Sequence, residues 1–284
     1  MKKYIIFLTA FLLIPFATFS QGKEKDSIKE NDKPARAAFE SSFVIDNPTN
    51  EVLSKNALEV MMQHRFGLIN GGSNDLAGFW APSNIRIALA YGIHDRVTIG
   101  FGTSKFNRLQ DFNWKVALLR QTRSDRIPLS VTYYGNFTID ARKKENFNMI
   151  QDRYSFFNQV IIARRFSPKV SFQIAPSVSH YNLVEEGMEN DLFSVAIGGR
   201  VKISPQTSIL IDYSQPITQF DASDLQPKPG FSLGVEFATS AHEFQLMLTN
   251  YNGLVPQKNY MLNQYDFFKG DFLIGFNITR IYNF

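Results

Sequence analysis

Cysteine is absent from the 284 residues. This excludes a disulfide framework, a thiol nucleophile, a cysteine-bearing metal site and the lipidated cysteine of a bacterial lipoprotein. Histidine is scarce as well, with four in the chain. His64, His94, His180 and His242 are scattered and lack clustered carboxylates, so no metal site is named. The charge excess is small, +4 on 30 basic and 26 acidic residues, with no basic run interleaved with stacking aromatics. Nucleic acid is therefore not an expected partner. Beyond residue 20 no apolar run approaches the ~18 residues that a transmembrane helix needs. Nucleotide motifs are missing too: the glycines of GLINGGSNDLAGFWAPS (67–83) lack a phosphate-loop lysine and a strand-to-helix context. No cofactor is implied.

What is present starts with MKKYIIFLTAFLLIPFATFSQG. Lys2 and Lys3 precede an apolar stretch from Tyr4 to Phe16, and Thr18 and Ser20 are the small residues before a cut at Gln21. That is the pattern of a secretory signal peptide over residues 1–20, so export is expected. Residues 21–55 open on the charged GKEKDSIKENDKPARAAFE and continue as SSFVIDNPTNEVLSKN. They read as a polar linker or as a short periplasmic or plug segment. Composition does not choose between these.

From residue 56 to 284 one pattern repeats. Apolar and polar residues alternate over 57–66, 83–93, 96–103, 111–121, 129–139, 153–166, 169–181, 192–203, 207–215, 230–239, 242–250 and 270–284. Period two predicts strands with one greasy face. The connections alternate between short turns (94–95, 122–128, 167–169, 204–207, 240–241) and longer polar loops. That layout predicts an all-β fold: a transmembrane antiparallel up-and-down β-barrel of about 12 strands, with short turns in the periplasm and long loops outside. A secreted soluble barrel or sandwich is the rival. Two features oppose it. The polar face of 129–139 is Ser130, Thr132, Tyr134, Asn136 and Thr138, without the charge that bulk water favours. Aromatics such as Tyr91, Tyr154, Phe166 and Tyr213 gather near strand ends, as interfacial girdles do.

Phe284, Tyr282, Ile278 and Phe276 alternate at the C-terminus, with Arg280 interrupting them. This run resembles the C-terminal signal that the barrel-assembly machinery recognises in bacterial outer-membrane proteins. A longer resemblance lies in NALEVMMQHRFGLINGG followed by DLAGFWAPSNIRIALAYGIHDRVTIGFGTSKFNRLQDFNWKVALLRQT. These segments resemble an uncharacterised outer-membrane β-barrel family of Bacteroidota, a domain of unknown function. The resemblance implies a barrel in the outer membrane, hence lipid as a partner; it implies no activity and no specific protein partner.

On the inward face, parity places Arg65, Arg86 and Lys115 near the outer end with Asp212 and Asp271. Arg165, Arg200 and Lys202 fall near the periplasmic end with Glu59, Glu236 and Glu243. Two readings stay open. The charges set a transverse field across a pore, or they pair across the lumen and close it. Arg65 and Asp271 are expected to pair where the last strand meets the first. The 67–83 loop is expected to anchor at the interface through Phe79 and Trp80, with inward folding as the alternative. A lipid hydrolase is weighed and set aside: His180 faces outward near the rim, but Ser177 and Ser179 face inward, out of hydrogen-bond reach. The expectation is a non-enzymatic narrow channel for small hydrophilic solutes. The alternative is a non-conducting barrel that anchors or docks an envelope complex.

Overall fold

A computed structural model describes residues 32–240 and 242–284. The proposed signal peptide lies outside the described residues. Two short strands, β1 (Phe43–Val44) and β2 (Asn47–Pro48), pair with each other as a separate hairpin. The remaining twelve are β3 (Ala57–Leu68), β4 (Asn84–His94), β5 (Val97–Ser104), β6 (Leu109–Leu119), β7 (Ser130–Asp140), β8 (Tyr154–Arg165), β9 (Val170–Tyr181), β10 (Asp191–Lys202), β11 (Thr207–Pro216), β12 (Gly230–Ala238), β13 (His242–Thr249) and β14 (Leu273–Asn283). Each pairs antiparallel with its sequence neighbour, and β14 pairs with β3, so the barrel closes. Closure leaves no strand edge, which is what allows a sheet to sit in hydrocarbon.

Twelve strands are what the periodicity predicts, and most bounds fall within a few residues of expectation. The last strand is the exception. It starts at Leu273 rather than at 270, because Gly270 adopts φ 91 and caps a short turn over Phe267–Lys269. That left-handed backbone suits glycine. Asp271 consequently lies in a loop, ahead of the strand.

The two strand faces differ as the parity reading requires. On β3 the even-numbered residues from Leu58 to Phe66 are half-buried and the odd-numbered ones from Ala57 to Arg65 are buried. Outward positions such as Ile87, Leu89, Ile99, Phe101, Phe193 and Leu246 are exposed and apolar. A band of this kind is matched to lipid. No helix among the described residues is long and apolar enough to cross a membrane. The 69–83 loop forms a lip outside the barrel, with Phe79 packed on Phe66 at 4.4 Å between ring centroids and Trp80 72% exposed. The inward-folding alternative fails for this loop. Residues 251–261 turn into the barrel and carry most of the helix α1 (Pro256–Leu262), whereas Phe267 and Phe268 pack outside on Phe231.

Candidate functional site

The lumen is occupied. The chain enters at the short-turn end, where Pro34 bridges to Thr122 and the Ala35 N–H donates to the Gln121 carbonyl at 2.7 Å. It climbs inside the barrel to the β1–β2 hairpin, then returns. The Leu53 N–H donates to Thr98 Oγ1 at 2.9 Å and the Asn56 N–H to the Gly92 carbonyl at 2.8 Å, just before β3 begins. Residues 38–53, within the 21–55 stretch, lie largely buried against the inner wall.

The hairpin tip explains why this segment stays. Asp46 Oδ1 accepts from Arg65 Nη2 at 2.9 Å, and Asp46 Oδ2 accepts from the hydroxyls of Ser232 and Thr249, each at 2.8 Å. The N–H groups of Asp46 and Asn47 both donate to Asp212 Oδ2 at 3.1 Å. The Asn47 amide also donates to Asp212 Oδ1, and to Ser214 Oγ. Arg65 is fully buried, so Asp46 supplies the countercharge that such a site needs. The expected partner was Asp271. It instead accepts from the Asn70 side chain and from the Asp266 N–H, outside the strand. A sequence reading confined to strands had no reason to look for Arg65's acid 19 residues upstream of it, ahead of the strand.

Lower in the lumen the wall grips the plug backbone. Lys115 Nζ donates to the carbonyls of Ser42 (2.7 Å) and Glu51 (3.2 Å). Gln173 donates to the Pro48 carbonyl, Thr132 to that of Asn50 and Gln245 to that of Phe43. Glu59 accepts from the Ser42 hydroxyl at 2.8 Å. Arg200 links Glu236 on the wall (2.7 Å) to Glu40 on the plug (2.9 Å). Glu243 accepts from the Gln245 amide. Small wall residues make the space: a Cβ on Gly198 would stand 2.8 Å from Val44 Cγ1. Ala163 joins Phe39, Val44, Ile45, Leu210 and Met247 in an apolar cluster around the hairpin. Ile45 holds φ 57, an uncommon backbone for a β-branched residue.

Several of the inward charges are paired inside the lumen. Arg86 reaches across the glycine at 102 to Asp111 in a two-point ion pair, with contacts of 2.8 and 2.7 Å. A Cβ at Gly102 would lie 2.5 Å from both partners. Asp111, Asp46 and Glu40 complete pairs that the sequence list of lumen charges lacked. Asp111 alone was findable, by the same parity that gave Lys115. Arg165 and Lys202 sit half-buried at the short-turn rim and make no ion pair among the described residues; Arg165 donates to the Ser167 carbonyl.

The long-loop half of the lumen is closed by α1. Tyr260 stacks on Phe157 at 5.3 Å, in a cluster with Tyr134, Ile161, Leu192, Phe220 and Met261. Phe157, Ile161 and Leu192 point inward and are buried, so the inner face is not uniformly polar. Gln257 donates to Asn136, Thr138 and Ser155. The Tyr260 hydroxyl donates to Asn47 Oδ1, so helix and hairpin meet inside the barrel.

His180 occupies the outward rim position expected of it. Its Nδ1 faces Asp191 at 2.8 Å and its Nε2 faces Asn182 Oδ1 at 2.9 Å, and the Asn182 amide is oriented by donating to the Gln151 carbonyl.

A family model described as a membrane bound beta barrel domain matches residues 39–282. The chain belongs to this family. The matched span opens at Phe39, inside the plug, so the family's domain includes the lumenal segment as well as the wall. Among solved structures, the NanC porin is similar, with a TM-score of 0.52 at 8% identity, over 80% of this chain and 99% of that one. An outer membrane channel from Pseudomonas putida F1 gives a TM-score of 0.50 at 12% identity, over 82% and 97%. At such identities the likeness concerns the fold. It agrees with an outer-membrane barrel in contact with lipid. No curated protein matches the chain.

Proposed function

We propose that this family member is a gated outer-membrane conduit for small hydrophilic solutes. Its resting state is shut by the N-terminal plug from the periplasmic side and by α1 from the outside. One observation carries the reading. The plug is not part of the barrel sheet; its hairpin forms a separate two-stranded unit, tied to the wall by side-chain hydrogen bonds and ion pairs. Withdrawing it breaks no wall ladder. It would uncover a lumen face rich in Ser, Thr, Asn and Gln, the lining that a wet passage needs. The porin and channel folds of the similar structures support the same choice.

The export signal at 1–20, the outer-membrane assembly signal at Phe276, Ile278, Tyr282 and Phe284, and an origin in Bacteroidota belong to this proposal. So does the absence of enzymatic activity. Among the described residues the hydrogen-bond partners of the His180 ring nitrogens are Asp191 and Asn182, neither of which carries a nucleophilic hydroxyl.

Planar-bilayer recording tests the conduit. The full chain is expected to be silent. A chain lacking 33–52, with 255–263 replaced by a Gly-Ser linker, is expected to show stable single-channel steps. Steps from the unaltered chain would refute the shut resting state. Silence of the opened variant, with its barrel confirmed by a heat-shift gel, would refute the conduit and favour the anchoring or docking role. Closure from both ends is the observation that speaks for that second reading.

A further inference from the structure

Where the long loops converge, the barrel carries a cleft of about 400 Å³. That volume is in the range of small-molecule sites. Its floor is made by Asp140, Ser155 and Tyr181 at the outer ends of β7, β8 and β9. These residues share the inward parity of Thr138, Phe157 and Ser179, so the cleft opens inside the rim and not toward lipid. Its walls are mostly apolar, with Leu183, Val184 and Met188 from the β9–β10 loop facing Leu262 of α1.

The charged groups of the lining are not equivalent. Asp140 is held in a two-point ion pair by Arg142, at 3.0 and 2.7 Å. Asp152 accepts the N–H groups of Asn148 and Met149. Glu185 is exposed on the outer loop. Two of the three acids are thus already satisfied by the protein. Of the cations, Arg153 and Lys258 make no ion pair among the described residues. Arg153 lies 4.9 Å over the Phe147 ring and donates once, to the Arg142 carbonyl; Lys258 Nζ stands 5.6 Å from the Phe106 ring. Aromatic faces hold these cations in place without neutralising them. Arg153 keeps donors in reserve for a planar anion.

We propose that this cleft binds a free anionic solute with an apolar body. Its carboxylate or comparable anion is taken by Arg153 and Lys258, and its hydrocarbon or ring part lies against Leu183, Val184, Met188 and Leu262. Burial of the apolar part against these four side chains supplies affinity, and the two cations select charge and orientation. The site is independent of the conduit: it needs only the closed outer half of the barrel.

Photolabelling of the full chain in phosphatidylcholine nanodiscs tests the site, with 4-azidobenzoate as probe and 4-azidobenzamide as its neutral counterpart. Saturable labelling of peptides spanning 140–155, 181–188 or 256–262 is expected for the carboxylate, displaced by excess 2-naphthoate. The amide is expected to label at least tenfold less. Arg153→Gln combined with Lys258→Gln should cut carboxylate labelling at least tenfold, whereas Lys258→Arg should retain it. Equal labelling by both probes, no saturable labelling of these peptides, or labelling indifferent to the double substitution would overturn the proposal. Displacement by phosphatidylglycerol added to the nanodisc would overturn the free-solute assignment in favour of a lipid headgroup. The comparison of the two probes on the unaltered chain decides the matter even if the double variant does not fold.

Discussion

Asp46 is the residue on which the closed lumen most depends. It meets Arg65, Ser232 and Thr249 at once, and its backbone N–H meets Asp212. Asp46→Asn leaves the buried Arg65 guanidinium without a countercharge, a loss that costs about 3–5 kcal/mol in buried pairs. Because the chain has no cysteine, Ser41→Cys in the buried plug is a single-site reporter of withdrawal. Asp46→Asn is expected to raise maleimide labelling at 41 at least tenfold. Asp271→Asn is expected to leave it unchanged, and the opposite ranking would restore the Arg65–Asp271 pairing. Glu51 adds a dependence on pH. Its carboxylate accepts from the N–H groups of Ala38 and Phe39, and burial pushes its pKa up from the ordinary 4.5 despite those bonds and the nearby Lys115. A raised acid binds its proton more tightly in the docked state. The stability it lends is full below 4.5 and falls as pH climbs through the raised value. Labelling at 41, normalised to an exposed Ser240→Cys control, should therefore rise with pH above 4.5, and Glu51→Gln should flatten that rise.

At the scale of elements, the plug hairpin and α1 act against each other inside the barrel. Among the described residues their one polar link is the Tyr260 hydroxyl on Asn47, beside Asp212 and Ser214. Helix α1 spans only seven residues. A helix that short has little stability of its own, and tertiary contacts to Phe157, Asn136, Thr138 and Ser155 hold it. Tyr260→Phe keeps the stacked ring and removes the hydroxyl, so α1 should stay docked while the hairpin loosens. The expected result is a several-fold increase in labelling at 41, with protease resistance of the 250–272 loop unchanged. Equal loosening of both would mean that helix and hairpin dock as one unit.

Across the whole molecule, pairing of β14 with β3 closes the barrel. Of the exposed C-terminal aromatics, Tyr282 takes part in it, opposite Leu58, and Phe284 lies beyond the strand. Arg280, which interrupts their alternation, lies with its guanidinium 4.7 Å over the Tyr282 ring at the short-turn rim. A long basic side chain reaches water from that depth and so breaks the apolar pattern without breaking the lipid face. Phe284→Asp is expected to lower the amount of barrel in the outer membrane several-fold in cells. The same variant refolded in detergent should show an unaltered heat-shift, since Phe284 lies beyond β14 and is exposed. Normal levels in cells would exclude this residue from the assembly signal.

The twelve strands, their facing and most of their bounds were legible because strand parity is a local property: each residue's side follows from its neighbours two positions away. The closed, lipid-matched wall followed from that alternation together with alternating turn and loop lengths. What fills the wall was not legible. Asp46 meets Arg65 through its carboxylate and Asp212 through its backbone N–H, and Tyr260 meets Asn47 across 213 residues of sequence. No period encodes such contacts. Some of their signs lay in plain view, in apolar Phe157, Ile161 and Leu192 on the inward face. Their meaning depended on a partner segment that only the folded chain brings there. The alternation of residues determined a barrel. The lumen's state was decided by tertiary structure, because a buried charge takes its partner from whatever chain lies within reach, and that is set by folding, not by spacing.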